Sequence, residues 1–194
     1  MHNRFLIGIF LGINYSTIAQ TEKGKWIISA GTDVNYINEK LKSKREPSER
    51  PNIDIEKKIL LQAGVENFVT NNFSVGLALG FKSENKTTQN YLQTQFTTLG
   101  LIKYYPEVDA NARPYLGTGI GYTFLFENQG YRSDRIGGLA YAFEGGLLVP
   151  ITKNFGTNFN IAYISRNLNY GTEDGFKSSS FGIGLGFSLF IGND

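Results

Sequence analysis

Cysteine is absent from this 194-residue chain, and histidine occurs once, as His2. The first absence removes disulfides, thiolate metal sites, cysteine nucleophiles and lipoprotein acylation together. The second leaves no Ser–His or Cys–His nucleophile pair in a mature chain that has lost its first residues, and takes away the commonest transition-metal ligand. Charge is also scarce. Charged residues make up 19% of the chain, against about a quarter in soluble domains, and a net charge of +2 gives no case for a nucleic-acid partner. Long apolar runs are missing too: Phe5–Ile13 falls far short of the roughly 20 residues a membrane-crossing helix needs.

That short run has a different use. Arg4 precedes it, and a polar stretch ending Ser16-Thr17-Ile18-Ala19-Gln20 follows, the charged, apolar and small-residue order of a secretory signal peptide. Thr17 and Ala19 fill the two small positions before a cleavage site. The expected organisation is a signal peptide over 1–19 and one domain over 20–194.

The chain holds 23 glycines and 14% aromatics, and beyond residue 20 the two kinds alternate with period two. From Ser180 to Ile191, Phe181, Ile183, Leu185, Phe187, Leu189 and Ile191 alternate with Ser180, Gly182, Gly184, Gly186 and Ser188; only Phe190 breaks the alternation. Successive strand side chains point to opposite faces, so one face is greasy and the other nearly bare. Phe73–Lys82, Leu116–Phe126 and Leu139–Val149 repeat the pattern. A bare face suits a cramped lumen, and a greasy face suits lipid. Eight such segments are expected, at Lys25–Ile37, Glu56–Phe68, Phe73–Lys82, Tyr91–Tyr105, Arg113–Phe126, Gly138–Val149, Phe155–Asn167 and Ser179–Ile191. The fold class is therefore all-β, an eight-stranded antiparallel up-and-down transmembrane β-barrel. Connections are expected to alternate: short ones near 70–72, 107–112 and 152–154, long polar ones at 38–55, 83–90, 127–137 and 168–178. Short turns on one rim and long loops on the other are the outer-membrane arrangement, with the short turns and both termini periplasmic.

Aromatics gather near strand ends. Trp26, Phe73, Tyr104, Tyr105 and Phe155, with Phe68 and Tyr115, are expected to form a girdle at the short-turn rim. Tyr36, Phe81, Tyr91, Phe126, Tyr163 and Phe181 would form its counterpart. Six ionisable residues fall in strand interiors on the bare face: Lys58, Glu66, Lys82, Lys103, Glu144 and Arg166. On the lipid face a Lys or Arg costs roughly 2–4 kcal/mol near the midplane, so a lumen charge network is expected, with Glu144 at its centre. For Lys103 the phase is shared with Leu99 and Leu101, which leaves its direction open. The segment 38–55 carries Glu39, Lys40, Lys42, Lys44, Arg45, Glu46, Glu49 and Arg50, a solvated loop or a surface for anionic lipopolysaccharide.

Two competing readings carry less. Gly24-Lys25-Trp26 is similar to the Gly-x-Trp signature of lipocalins, soluble ligand-binding barrels, but such a barrel would need polar outer faces where this chain offers glycine. Gly117-Thr118-Gly119-Ile120-Gly121 has the wrong spacing for a dinucleotide loop, and no helix follows.

The segments Lys103-Tyr104-Tyr105-Pro106, Arg113–Tyr122 and Phe181–Ile191 resemble the small porin-like outer-membrane β-barrel proteins of Bacteroidetes-type bacteria. The resemblance covers nearly the whole mature chain. It implies the cell outer membrane as location and insertion by the outer-membrane assembly machinery through an aromatic-rich last strand, although this chain continues past Phe190 with Gly192-Asn193-Asp194. The expectation is a monomer in contact with outer-membrane lipid and lipopolysaccharide, without cofactor, metal or enzymatic activity. Its function would be that of a structural or surface-interaction barrel with a plugged lumen; the alternative is a narrow channel for small or hydrophobic solutes.

Overall fold

The computed structural model describes residues 22–38, 58–86, 91–108, 112–129, 132–170 and 174–192. The expected signal peptide and most of the segment 38–55 lie outside them. Eight strands make up nearly all of the rest: β1 (Trp26–Asn38), β2 (Lys58–Phe68), β3 (Phe73–Lys86), β4 (Tyr91–Tyr104), β5 (Arg113–Gln129), β6 (Arg132–Pro150), β7 (Phe155–Tyr170) and β8 (Asp174–Ile191). They pair antiparallel in chain order, and β8 closes on β1 into a barrel. Closure matters because each backbone N–H and C=O along the ladder finds a partner and no edge remains, which is the condition for strands in hydrocarbon.

The stagger follows from the register. From Trp26 the partners run through Asn67, Val75, Ile102, Thr118, Phe143, Tyr163 and Phe181 back to Tyr36. The ring therefore closes ten positions up its own first strand (36 − 26). Such a shear tilts eight strands by about 35–45° and leaves an interior that side chains just fill.

Alternation along each strand decides the two faces. Ile183, Leu185, Phe187 and Leu189 face outward, as do Val75, Leu77 and Leu79 on β3 and Leu116 and Ile120 on β5. Gly182, Gly184, Gly186 and Ser188 face inward. An apolar outer wall of this extent is compatible with hydrocarbon and not with water.

Two expectations need correction. The strands are longer than the apolar alternation: two of the four connections expected to be long, 127–137 and 168–178, are largely strand, and 83–86 belongs to β3. The β5–β6 ladder continues to the pair Gln129–Arg132, and the β7–β8 ladder to Tyr170–Asp174. Alternation of apolar and small residues marks only the lipid-crossing part, whereas ladder hydrogen bonds persist between polar residues beyond it. Strict long-short alternation consequently does not hold in the connections; 130–131 is shorter than 105–112. The end of the β4–β5 ladder has a local cause. It stops at Tyr104–Leu116, and the next residues facing one another include Pro106 and Pro114, which have no N–H to give.

Candidate functional site

The lumen is filled in layers. Next to the short turns lies an apolar floor of Ile27, Phe68, Tyr105, Tyr115, Leu148 and Phe190. Phe190, the residue that breaks the β8 alternation, is part of this floor. Phe68 and Tyr105 meet with ring centroids 5.1 Å apart, and Tyr105 and Tyr115 at 5.4 Å.

Above the floor sits a buried ion cluster. Lys103 Nζ lies 2.6 Å from Glu66 Oε1 and 2.9 Å from Glu144 Oε1. Glu66 Oε2 also accepts from Ser74 Oγ at 2.8 Å and from the Tyr105 hydroxyl at 3.2 Å. The contact to Glu144 Oε1 is an ion-pair approach without hydrogen-bond alignment. One ammonium thus serves two carboxylates, and the face of the Tyr115 ring lies 4.9 Å from it.

The register explains the meeting. Lys103, Gly117 and Glu144 are direct partners across β4, β5 and β6, with glycine in the middle. A Cβ on Gly117 would stand 2.9 Å from Lys103 Cγ and 3.0 Å from Glu144 Cγ. The bare residue is what lets the two long side chains join above it. Such a cluster is stable only when its charges meet one another, because each ion has left water.

Next comes an apolar collar of Leu99, Leu101, Ala140, Ala142 and Ile164. Farther up, polar side chains return: Lys82 pairs with Glu84 at 3.7 Å, Arg166 Nη1 donates to Ser180 Oγ at 3.0 Å, and the Thr97 and Thr123 hydroxyls lie 2.9 Å apart. Leu125, Ile136 and Leu168 form a last apolar group above these. Beside the ion cluster, toward β1, β2 and β7, small and amide side chains leave a cavity of about 80 Å³, bordered by Gly31, Gln62, Gly64, Asn158 and Asn160. Leu99, Leu101, Ile164 and several alanines share its lining with Glu66, Lys103 and Glu144, and a void of that size has room for several waters, each needing roughly 10–15 Å³.

The six expected lumen residues distribute as follows. Glu66, Lys103 and Glu144 come together. Lys82 and Arg166 are buried inside the barrel but take other partners. Lys58 is in β2 opposite Asn35, and its side chain lies outside the described residues. The centre of the cluster is Lys103 rather than Glu144, because the single cation bridges both acids. Its direction, left open by Leu99 and Leu101, is inward; all three share the lumen, and Ile102 and Tyr104 take the lipid side. Four hydrogen-bond or ion-pair partners were not anticipated: Ser74, Tyr105, Glu84 and Ser180.

The girdle divides. Trp26, Phe73 and Tyr104 stand outward, and Phe73 and Tyr104 pack at 4.9 Å. Phe155 is half-buried and stacks on Phe187. Tyr105 does not belong to it: only 2% exposed, it points into the lumen, as do Phe68 and Tyr115. Adjacent residues of a strand face opposite ways, so Tyr104 and Tyr105 cannot both face lipid. At the other rim Phe81, Phe126, Tyr163 and Phe181 face outward, while the side chains of Tyr36 and Tyr91 lie outside the described residues.

Comparison with known proteins agrees with this architecture. A family model described as "Outer membrane protein beta-barrel domain" matches residues 5–188. Among solved structures, Neisserial surface protein A aligns with a TM-score of 0.62 at 9% identity, over 86% of this chain and 97% of that one. The outer membrane protein OprG of Pseudomonas aeruginosa aligns with a TM-score of 0.60 at 15% identity, over 89% and 98%. The N-terminal β-barrel domain of Pseudomonas aeruginosa OprF aligns at 0.57 and 15% identity, over 87% and 98%. At these identities the likeness is one of fold. No curated protein matches the sequence.

Proposed function

The chain belongs to the outer membrane protein beta-barrel domain family, and from that premise we propose that it is a closed structural barrel whose outer end meets the cell's surroundings. The observation that carries the reading is the stack of layers across the lumen. An ion cluster built on Glu66, Lys103 and Glu144 lies directly on a floor of six apolar and aromatic side chains. A permeating ion would have to part a desolvated ion triad and then cross the floor, each of which is unfavourable. Eight strands already leave little more interior than side chains occupy.

The surface role draws on the far end. β5 and β6 continue well past the residues that alternate apolar and small, and the segment 38–55 adds nine charged residues. Both would stand in the layer where lipopolysaccharide and external molecules are met. The reading assigns no reaction, since the chain offers one histidine and no cysteine, and treats the barrel as a monomer in outer-membrane lipid.

A narrow conduit is the second reading, favoured by the cavity of about 80 Å³ that reaches the ion cluster. Planar-bilayer recording separates the two. The refolded full chain should give no steady current under applied voltage. A reproducible ohmic conductance of uniform size would overturn the closed-barrel reading in favour of the conduit.

A further inference from the structure

On the outer wall, near the rim where β1, β3, β5 and β7 end, the side chains change character. A tilted strand crosses hydrocarbon in about 9–11 residues. On β6, counted from Val149, that crossing ends near Leu139. Arg135 lies four positions farther, exposed and outward. Its guanidinium covers the Phe124 ring at 5.2 Å and the Phe126 ring at 5.6 Å, within cation–π range. Phe126 is the direct partner of Arg135 across the ladder, so the shelf is built by the pairing of β5 with β6.

Tyr122 extends the shelf. Its ring packs on Phe124 at 4.8 Å and lies over Gly137, where a Cβ would stand 2.7 Å from the phenol oxygen. A second cation, Lys177 on β8, faces outward at a similar distance past the crossing, and exposed Asn169 of β7 lies between the strands that carry the two. Among the outward side chains described at this level none is acidic, and no carboxylate pairs with Arg135 among the described residues. Elsewhere in the barrel Lys103 and Lys82 meet carboxylates. Here the charge is left for something outside.

Resting on the reading of an outer-membrane barrel whose loop end meets the surroundings, we propose that Arg135, on the aromatic shelf of Phe124 and Phe126, and Lys177, two strands away on β8, seat the phosphorylated headgroup of an outer-leaflet glycolipid. The fit is one of charge and of level. Two outward cations stand just beyond the hydrocarbon, where phosphates of a membrane lipid lie, and the rings beneath Arg135 sit at the boundary that aromatic side chains prefer. Arginine supports this role because its planar fork matches a phosphate while its face rests on the rings. A soluble anion would have no reason to prefer a site ringed by exposed apolar wall.

The test uses the full chain refolded in three kinds of vesicle: phosphatidylcholine alone, phosphatidylcholine with bisphosphorylated lipid A, and phosphatidylcholine with lipid A stripped of both phosphates. Two quantities are read, the temperature at which the heat-modifiable gel shift is lost and the lipid A retained per barrel after mild detergent extraction. The phosphorylated lipid should raise the temperature and be retained; the stripped lipid should do neither. The double variant Arg135→Gln, Lys177→Gln should behave like the parent in phosphatidylcholine alone yet retain about thirtyfold less lipid A, the loss expected for two interfacial cations. Arg135→Lys should keep much of the effect. Equal retention by the double variant, or equal action of the stripped lipid on the unsubstituted barrel, overturns the proposal. The second comparison needs no variant and decides the matter even if the double substitution does not fold.

Discussion

Lys103 and Glu144 meet at 2.9 Å across a residue that has no side chain, Gly117, their common partner in the ladder. The glycine is therefore part of the ion cluster although it carries no charge. Gly117→Ala should push apart Lys103 Cγ and Glu144 Cγ, which the new Cβ would approach within 3.0 Å. The expected loss is about 1–3 kcal/mol, the usual range for overpacking. It would be read as a lowered urea midpoint for unfolding from vesicles, and an unchanged midpoint would show that the lumen accommodates the methyl.

The two acids of the cluster should differ. Glu66 accepts from Lys103, Ser74 and Tyr105, whereas Glu144 has the Lys103 ion pair alone among the described residues. Glu66→Gln breaks a satisfied network and should destabilise by about 1.5–3 kcal/mol. Glu144→Gln leaves a neutral Glu66–Lys103 pair and should change stability by less than about 1 kcal/mol. Side-by-side melting of both variants checks the order, and a larger effect at Glu144 would contradict it.

Removing the cation should be worse than removing either acid. Lys103→Met leaves two buried carboxylates without a counter-charge, a loss of about 3–5 kcal/mol. Lys103→Met combined with Glu66→Gln and Glu144→Gln should recover a large part of it. Failure of the triple variant to recover would mean that the lysine acts through packing rather than charge.

The chain has one tryptophan, which makes the position of the short-turn rim measurable. Trp26 faces outward at the start of β1. Its fluorescence should be quenched more by lipids brominated near the headgroup than by lipids brominated at the chain ends. Stronger quenching by the deep label would move the rim into the hydrocarbon.

Outward residues near the middle of the wall should reject charge. Ile183, 61% exposed to the surroundings of the barrel, lies opposite Ile161 on β7. Ile183→Arg should cost roughly 2–4 kcal/mol, seen as a shift in the urea midpoint for refolding into vesicles. No shift would argue that this face does not touch lipid.

Much of the fold could be read from the chain because β3, β5, β6 and β8 keep a two-residue period with few breaks, Phe190 among them. Phe73–Phe81 and Phe181–Ile191 leave no doubt about which side is bulky. The site was less legible, and for identifiable reasons. Leu99, Leu101 and Lys103 share one phase on β4, so apolarity and charge pointed opposite ways; the lumen resolves this by alternating apolar and ionic layers, a property of eight strands together. Tyr105, Phe68 and Tyr115 looked like girdle because they lie at strand ends. Parity held the signal: Phe68 is in phase with Glu66, Tyr115 with Gly117, and Tyr105 with Lys103. The outer extents of β5–β8 were missed because polar residues pair in a ladder without any apolar period to announce it.

The pairing of β1 with β8 over thirteen partners, from Trp26–Ile191 to Asn38–Ser179, has a consequence in time. One flank of β1 can pair with β2 as soon as both are made, but the other waits for the last strand, and more than a hundred residues separate the two. Throughout that wait β1 is an open template for any neighbouring chain. Crowding of unfinished copies should thus trouble this protein more than heat does once its circle is shut.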